Sequence, residues 1–285
     1  GVHLGHQEII SSLVKKAKKN NKPSAILSFN PHPRQFFSKQ LDRYQIISEE
    51  KKRQLFKEMG VEYYFCLNFD ESISNLSPSD FITKIIVQQL KVSRLIVGYD
   101  FHFGKDRKGD TELLSDHASI HGFSLEVVEP IYLKNSEEVF SSTQVRNFIK
   151  KGMMEKAKAM LGRTWSMDGG VIHGDGRARK MSFPTANILP HNQIYPLRGV
   201  YAVQSILNNQ LYKGIANFGE RPTVEGQKLL LEVHLFDFDK DIYGNYLTVE
   251  FLTFIRGEKK FDNFDLLVEQ IKKDIQIVKD YHLKK

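Results

Sequence analysis

One cysteine, Cys66, stands in a chain of 285 residues, which excludes an internal disulfide framework. A reducing, cytoplasmic setting is therefore expected. In YYFCLNF (63–69, with Cys66 inside it) the thiol reads as a small buried hydrophobe. No apolar run approaches the ~20 residues that a membrane-spanning helix needs, so no membrane partner is expected. Acidic side chains are the scarcer charge, 34 against 41 basic ones, leaving a formal charge of +7. That imbalance fits a nucleic-acid binder, but equally an enzyme that holds polyanionic nucleotides. Internal repeats and low-complexity segments are also lacking.

What is present is ordinary for a folded chain: 41% hydrophobic and 26% charged residues, over a length comfortable for two domains. The first half alternates short apolar runs with helical patterns. SAILSF (24–29), VEYYFCLNF (61–69), RLIVGYDF (94–101) and FSLEVVEP (123–130) read as strands. Helices are expected from Ser48-Glu49-Glu50 to Gly60 and from about Pro78 to Leu90. Strands separated by helices imply a parallel, doubly wound sheet, whose ligands bind at the carboxyl ends of the strands. After Gly162 the period changes. GVYAVQSIL (199–207), the Asn208-Asn209 turn, QLYKGIANF (210–218), LLLEVHLFDF (229–238) and NYLTVEFLTF (245–254) are closely spaced strands, predicting a small antiparallel barrel or sandwich. A last helix from about Asn263 places Leu267, Ile271, Ile275 and Val278 on one face, to cover the barrel. The boundary is drawn so that residues 1–162 form the first domain and 163–285 the second.

Three segments of the first half suggest a nucleotide site. His3-Leu4-Gly5-His6 sits at a helix entrance, where free N–H groups and the helix dipole favour an anion and Gly5 lets the backbone approach. In SSTQVRNFIKKG (141–152), Ser142 or Thr143 can cap the helix, and Arg146 lies one turn in, able to fork onto phosphate oxygens. VGYDFHFGKDRKGD (97–110) runs a strand into a loop carrying Asp100 and Gly104, where a nucleotide would lie.

The second half has its own candidates. GGVIHGDGRARKMSFPTANI (169–188) offers Gly174 and Gly176, whose backbone can wrap phosphates, with Arg177 and Lys180 as cationic partners. Thr185 and Asn187 are two apart, so on an extended segment both oxygens face one side and can share a Mg²⁺ with ATP phosphates. Glu232 shares a strand face with His234 while Leu231, Val233 and Leu235 face the other way, which suits a general base for an attacking hydroxyl. His32, His102, His173 and His234 are read as having no part in the chemistry.

The HxGH turn with the late Ser/Thr-rich helix resembles the nucleotidyltransferase superfamily. The whole chain resembles the bacterial bifunctional riboflavin kinase/FMN adenylyltransferases, or FAD synthetases. The residues that carry this are GVHLGH, SFNPHP (28–33), VGYDFHFGKDRKGD, SSTQVR, GDGRARKMSFPTAN, NFGERPT (217–223), LEVHLFDFDKDIYG (231–244) and FIRGEKKF (254–261), in family order. The resemblance implies two reactions: riboflavin and ATP give FMN and ADP, then FMN and a second ATP give FAD and pyrophosphate. It implies Mg-ATP on Thr185 and Asn187, and Glu232 as base. It assigns His3, His6, Thr143 and Arg146 to ATP phosphates, with Asp100 beside the nucleotide. The family has a strand immediately before the GVH turn, so this chain is expected to lack the first strand of its sheet. A kinase-only activity is the alternative. Ala178 and Ser182 stand where glycine is common in the phosphate loop.

Two rival readings fit less well. HLGH and RKMSF (179–183) resemble signatures of class I aminoacyl-tRNA synthetases, but here KMS runs straight into FPTAN at the start of a β-rich module. An RNA-binding barrel would interleave aromatics with Lys and Arg on one strand face. These strands do not, so no nucleic-acid partner is expected, and the chain is read as a monomer or weak homo-oligomer.

Overall fold

The computed structural model describes residues 1–38, 43–132, 139–172, 183–189, 192–223 and 226–284. The chain divides into two compact units. One holds Val2–Tyr44 and Glu50–Ser141; the other holds Gly1, Gln45–Glu49 and Ser142–Lys285.

The first unit carries four strands: β1 (Ala25–Asn30), β2 (Tyr63–Asn68), β3 (Arg94–Gly98) and β4 (Ser124–Val128). They form two parallel ladders, β1 with β2 and β3 with β4. Parallel pairing demands a crossover between partners, and helices supply it. Both ladders pack on one hydrophobic cluster. Phe81, Ile82, Ile85 and Ile86 lie at its centre with Val97, Phe103 and Leu114, and Leu27, Leu67, Leu95 and Leu125 close on it from the four strands.

The helix expected over 78–90 begins with a short α-helical turn, Pro78–Asp80, in which the Ser77 hydroxyl accepts from the Asp80 N–H at 3.0 Å. It continues as a π-helix over Phe81–Gln89, with the Leu90 N–H bonded to the Ile85 carbonyl at 2.9 Å. Widening the turn keeps the apolar positions 81, 82, 85 and 86 together on the core side.

The second unit is a closed antiparallel barrel. Its strands are β5 (Ser166–Ile172), β6 (Ala186–Ile188), β7 (Gly199–Leu207), β8 (Gln210–Thr223), β9 (Gly226–Leu235) and β10 (Tyr246–Arg256), in the order β10-β5-β6-β9-β8-β7. The β7–β8 hairpin turns at Asn208 and Asn209, at φ 50° and 64°, the left-handed pair that a tight two-residue turn needs. Alternation places Leu231, Val233 and Leu235 inside, all at most 4% exposed. The C-terminal helix, Phe264–Leu283, is capped by Asn263, whose Oδ1 accepts from the Leu266 N–H at 2.9 Å. Its Ile275, Val278 and Tyr281 cover Val200, Ala202 and Ile215 on the barrel wall. Burying side chains of this kind contributes about 1.5–3 kcal/mol each. The helices Ser142–Lys150 and Met154–Leu161 belong to this unit too. So does buried Trp165, whose Nε1–H donates to the Ile46 carbonyl at 2.6 Å.

Candidate active sites

In the first unit the chain enters its opening helix, Leu4–Lys19, through His3. That residue is the N-cap in extended conformation, and its Nδ1 accepts from the His6 N–H at 3.4 Å. Nδ1 is therefore unprotonated and Nε2 carries the ring proton. His3 is 7% exposed, and its ring lies 3.8 Å, centroid to centroid, from that of His6. His6 as a residue stays exposed while protein crowds its ring. That desolvation first, and the neighbouring His3 second, hold its pKa well below the ordinary 6.5. Burial thus disfavours a charge on the His6 ring, which in its neutral form can still donate to an anion. Gly5 leaves little room between the two histidines: a Cβ there would stand 3.0 Å from Phe140 Cβ and 3.2 Å from His3 Nδ1.

β3 ends at Gly98, and Asp100 follows in an exposed turn. Paired bonds between Phe103 and Gly109, both 3.0 Å, close the loop beyond it. Gly104 has φ +71°, and a Cβ would fall 2.8 Å from the Pro78 backbone, so this glycine is fixed by both torsion and space. An open depression in this unit is lined by Tyr99, His102, Asp110, Glu112 and Val127. It contains neither histidine of the turn nor Asp100.

Ser142 and Thr143 open the Ser142–Lys150 helix as its first two residues, so they lie inside the first turn rather than ahead of it. Arg146 is half-buried one turn on, and the helix belongs to the barrel's compact unit.

In the barrel, strand register brings the predicted residues together. Asn187 on β6 stands directly opposite Glu232 on β9, so both side chains leave the same face. Asn187 is 4% exposed, and its Oδ1 is buried with no hydrogen-bond partner among the described residues. Thr185 precedes β6 by one residue and is half-buried. On the other side of Glu232 the register places Asn217 of β8. That neighbour went unnoticed in the sequence because nothing in NFGERPT says which strand it faces. Gly174, Gly176, Arg177 and Lys180, with His173, lie outside the described residues. A depression lined by Leu207, Tyr212, Phe238, Lys240 and Ile242 lies in the same unit but does not include Glu232. The register, rather than that hollow, brings the candidate residues together.

Chemically, the barrel face offers a carboxylate beside an amide oxygen with no partner among the described residues, a set that can deprotonate a hydroxyl next to a cation-held phosphate. The helix entrance offers ring N–H donors at a positive dipole end, which can bind and stabilise phosphate charge.

Two family models match the chain in succession. The family model for FAD synthetase matches residues 1–157, and that for riboflavin kinase matches residues 161–282. A bifunctional riboflavin kinase/FMN adenylyltransferase of Haemophilus influenzae is 37% identical over 99% of this chain and 91% of its own. One of Bacillus subtilis is 35% identical over 97% of this chain and 88% of its own. A crystal structure of a Streptococcus pneumoniae protein described as a macrolide-efflux protein superposes with a TM-score of 0.85. It is 30% identical and covers 98% of this chain and 90% of that one. No helix among the described residues is long and apolar enough to cross a membrane. With both family models matched in order and full-length relatives of one kind, the chain belongs to the bifunctional riboflavin kinase/FMN adenylyltransferase family.

Proposed function

We propose that the barrel face built on Thr185, Asn187 and Glu232 phosphorylates riboflavin, and that the turn built on His3, Gly5 and His6 serves the transfer of AMP from ATP to the FMN so formed. The observation that carries the reading is the pairing of Glu232 with Asn187, whose buried Oδ1 has no partner among the described residues. A buried amide oxygen left unpaired costs about 1–3 kcal/mol. It is tolerated where a ligand satisfies it, and a hard divalent cation such as Mg²⁺ prefers such oxygen donors. Thr185 and Asn187 are the residues that would hold it; bound with ATP, it would neutralise phosphate charge. No cluster of three His, Cys, Asp or Glu among the described residues offers a metal site, so the nucleotide itself would bring most of the anionic charge.

In the kinase step the Glu232 carboxylate takes the proton of the riboflavin 5′-hydroxyl. The oxygen bonds to the γ-phosphorus of ATP as the β–γ bridge breaks, and ADP leaves. In the second step a phosphate oxygen of FMN bonds to the α-phosphorus of another ATP and pyrophosphate leaves. No base is needed there, because the nucleophile is already an anion. His3 and His6 donate to the phosphates, Asp100 and Gly104 flank the nucleotide, and the motif of Ser142, Thr143 and Arg146 contributes to the same reaction. Gly174, Gly176, Arg177 and Lys180 are assigned to the kinase ATP on the sequence alone. Residues 1–162 are taken as the adenylyltransferase domain and 163–285 as the kinase domain. The enzyme works in the cytoplasm as a monomer or weak homo-oligomer, without nucleic acid, a view supported by its lone cysteine and dispersed lysines.

The test is a time course with riboflavin and excess Mg-ATP, the flavins separated by chromatography. FMN should rise and give way to FAD. Glu232→Ala should abolish FMN formation while supplied FMN is still converted to FAD. Unchanged riboflavin together with unchanged supplied FMN overturns the reading.

A further inference from the structure

His234 lies two residues beyond Glu232 on β9 and so shares its face. The ladder pairs Asn187 with Glu232 and Ala186 with Val233. Continued by one step, that register sets Thr185 opposite His234. The face is then a square, with Thr185 and Asn187 on one strand and His234 and Glu232 on the other.

β6 is three residues long and begins at Ala186, so Thr185 lies just outside the ladder. From that side its position is set by the strand. From the other side it is set by His234, whose Nδ1 lies 2.8 Å from the Pro184 carbonyl oxygen. A carbonyl can only accept, so Nδ1 carries the proton in neutral and charged imidazole alike. Among the described residues this is the only side-chain hydrogen bond to the Phe183–Thr185 segment. Pro184 itself has no N–H with which to make another tether. The imidazole is held in turn: the Phe183 ring meets it edge-on at 5.9 Å and the Phe236 ring at 5.8 Å.

We propose that His234 is a positioning residue for the kinase site: its Nδ1–H, bound to the Pro184 carbonyl, holds Thr185 in line with Asn187 and so sets the cation and the nucleotide phosphates opposite Glu232. The proposal rests on the functional reading above. It assigns His234 no contact with substrate. Partners of this outer kind typically change metal affinity by about 10–100-fold when removed.

The experiment uses the full chain and three variants. His234→Phe keeps an aromatic ring between Phe183 and Phe236 but removes the donor. His234→Asn places an amide N–H near the Nδ1 position. His234→Gln carries its amide out toward the Nε2 position and gives a second donor lesion if the Phe variant does not fold. ADP, a product of the kinase step alone, is titrated calorimetrically with and without Mg²⁺ and with no turnover. The Phe and Gln variants should bind Mg-ADP about 10-fold or more weakly. They should lose the advantage that Mg²⁺ confers, while the Asn variant stays close to the native chain. In turnover the Mg²⁺ concentration for half-maximal FMN formation should rise by the same factor, with the KM for riboflavin and the adenylylation of supplied FMN unchanged. Native-like Mg-ADP binding by the Phe and Gln variants overturns the role of His234, as does an equal loss in all three. If the native chain itself makes no FMN, the functional reading falls and this proposal with it.

Discussion

Asn187, on the proposed reading, is at once a cost to the fold and a ligand of the site. Among the described residues its Oδ1 is buried without a partner, so the amide bears a desolvation cost that no described group offsets. Replacing such a group by an apolar one of similar size is neutral or stabilising. Asn187→Leu should therefore unfold in urea at no lower a denaturant concentration than the native chain, with a gain of up to about 1 kcal/mol. FMN formation should fall by about 100-fold or more, since a direct ligand costs no less than an outer partner. A variant that loses activity only in step with lost stability would count against the ligand role. The residue was legible in the sequence because a two-residue spacing on an extended segment fixes a shared face with Thr185. Glu232 was legible because a carboxylate interrupts an apolar alternation. The contacts of His234 and Asn217 were not legible. One gains its meaning from a carbonyl 50 residues away and the other from a neighbouring strand, and neither pairing is encoded in local spacing.

Among the elements, strands with strong alternation and clear turns matched expectation: β7 covers the whole of 199–207, and the hairpin turns at the asparagine pair. β5 and β6 were missed as strands. SMDGGVI carries two glycines and a carboxylate, and β6 is too short for any period to register. The π-helix was missed because its apolar positions fit an α-helix almost as well. The C-terminal helix was foreseen from its apolar face, but its second attachment was not. Arg256, at the end of β10, donates to Asp274 from Nε at 3.1 and 3.0 Å and from Nη2 at 2.7 Å. Gln270 adds a bond at 2.9 Å, and Asp274 is only 2% exposed. A forked pair of this kind is costly to break from one side, because the remaining charge stays desolvated. Asp274→Ala should cost about 3–5 kcal/mol and speed amide hydrogen exchange over Phe264–Leu283 before the barrel strands respond. The double change Arg256→Met with Asp274→Leu should recover a large part of that loss. Equal exchange in helix and barrel would show that the pair does not hold this element in particular.

At the scale of the molecule, the proposed reading gives the two reactions different residues. Thr185, Asn187 and Glu232 lie in one compact unit, and His3, Gly5 and His6 lie in the other. Lesions that share no partner act independently, so a chain disabled at one set should keep the other. Glu232→Ala should therefore adenylylate supplied FMN, and His6→Ala should stop at FMN when given riboflavin. Neither variant alone should make FAD from riboflavin. Mixed in equal amounts they should do so, because FMN released by the His6→Ala chain is an ordinary dissolved substrate for the Glu232→Ala chain. The mixture should show a lag before FAD appears, and added FMN should abolish that lag. FAD formed by the mixture at a rate that scales with the concentration of both chains would establish transfer through solution. A mixture that accumulates FMN without FAD, although the Glu232→Ala chain accepts supplied FMN, would mean that the product of one reaction reaches the other only within a single chain.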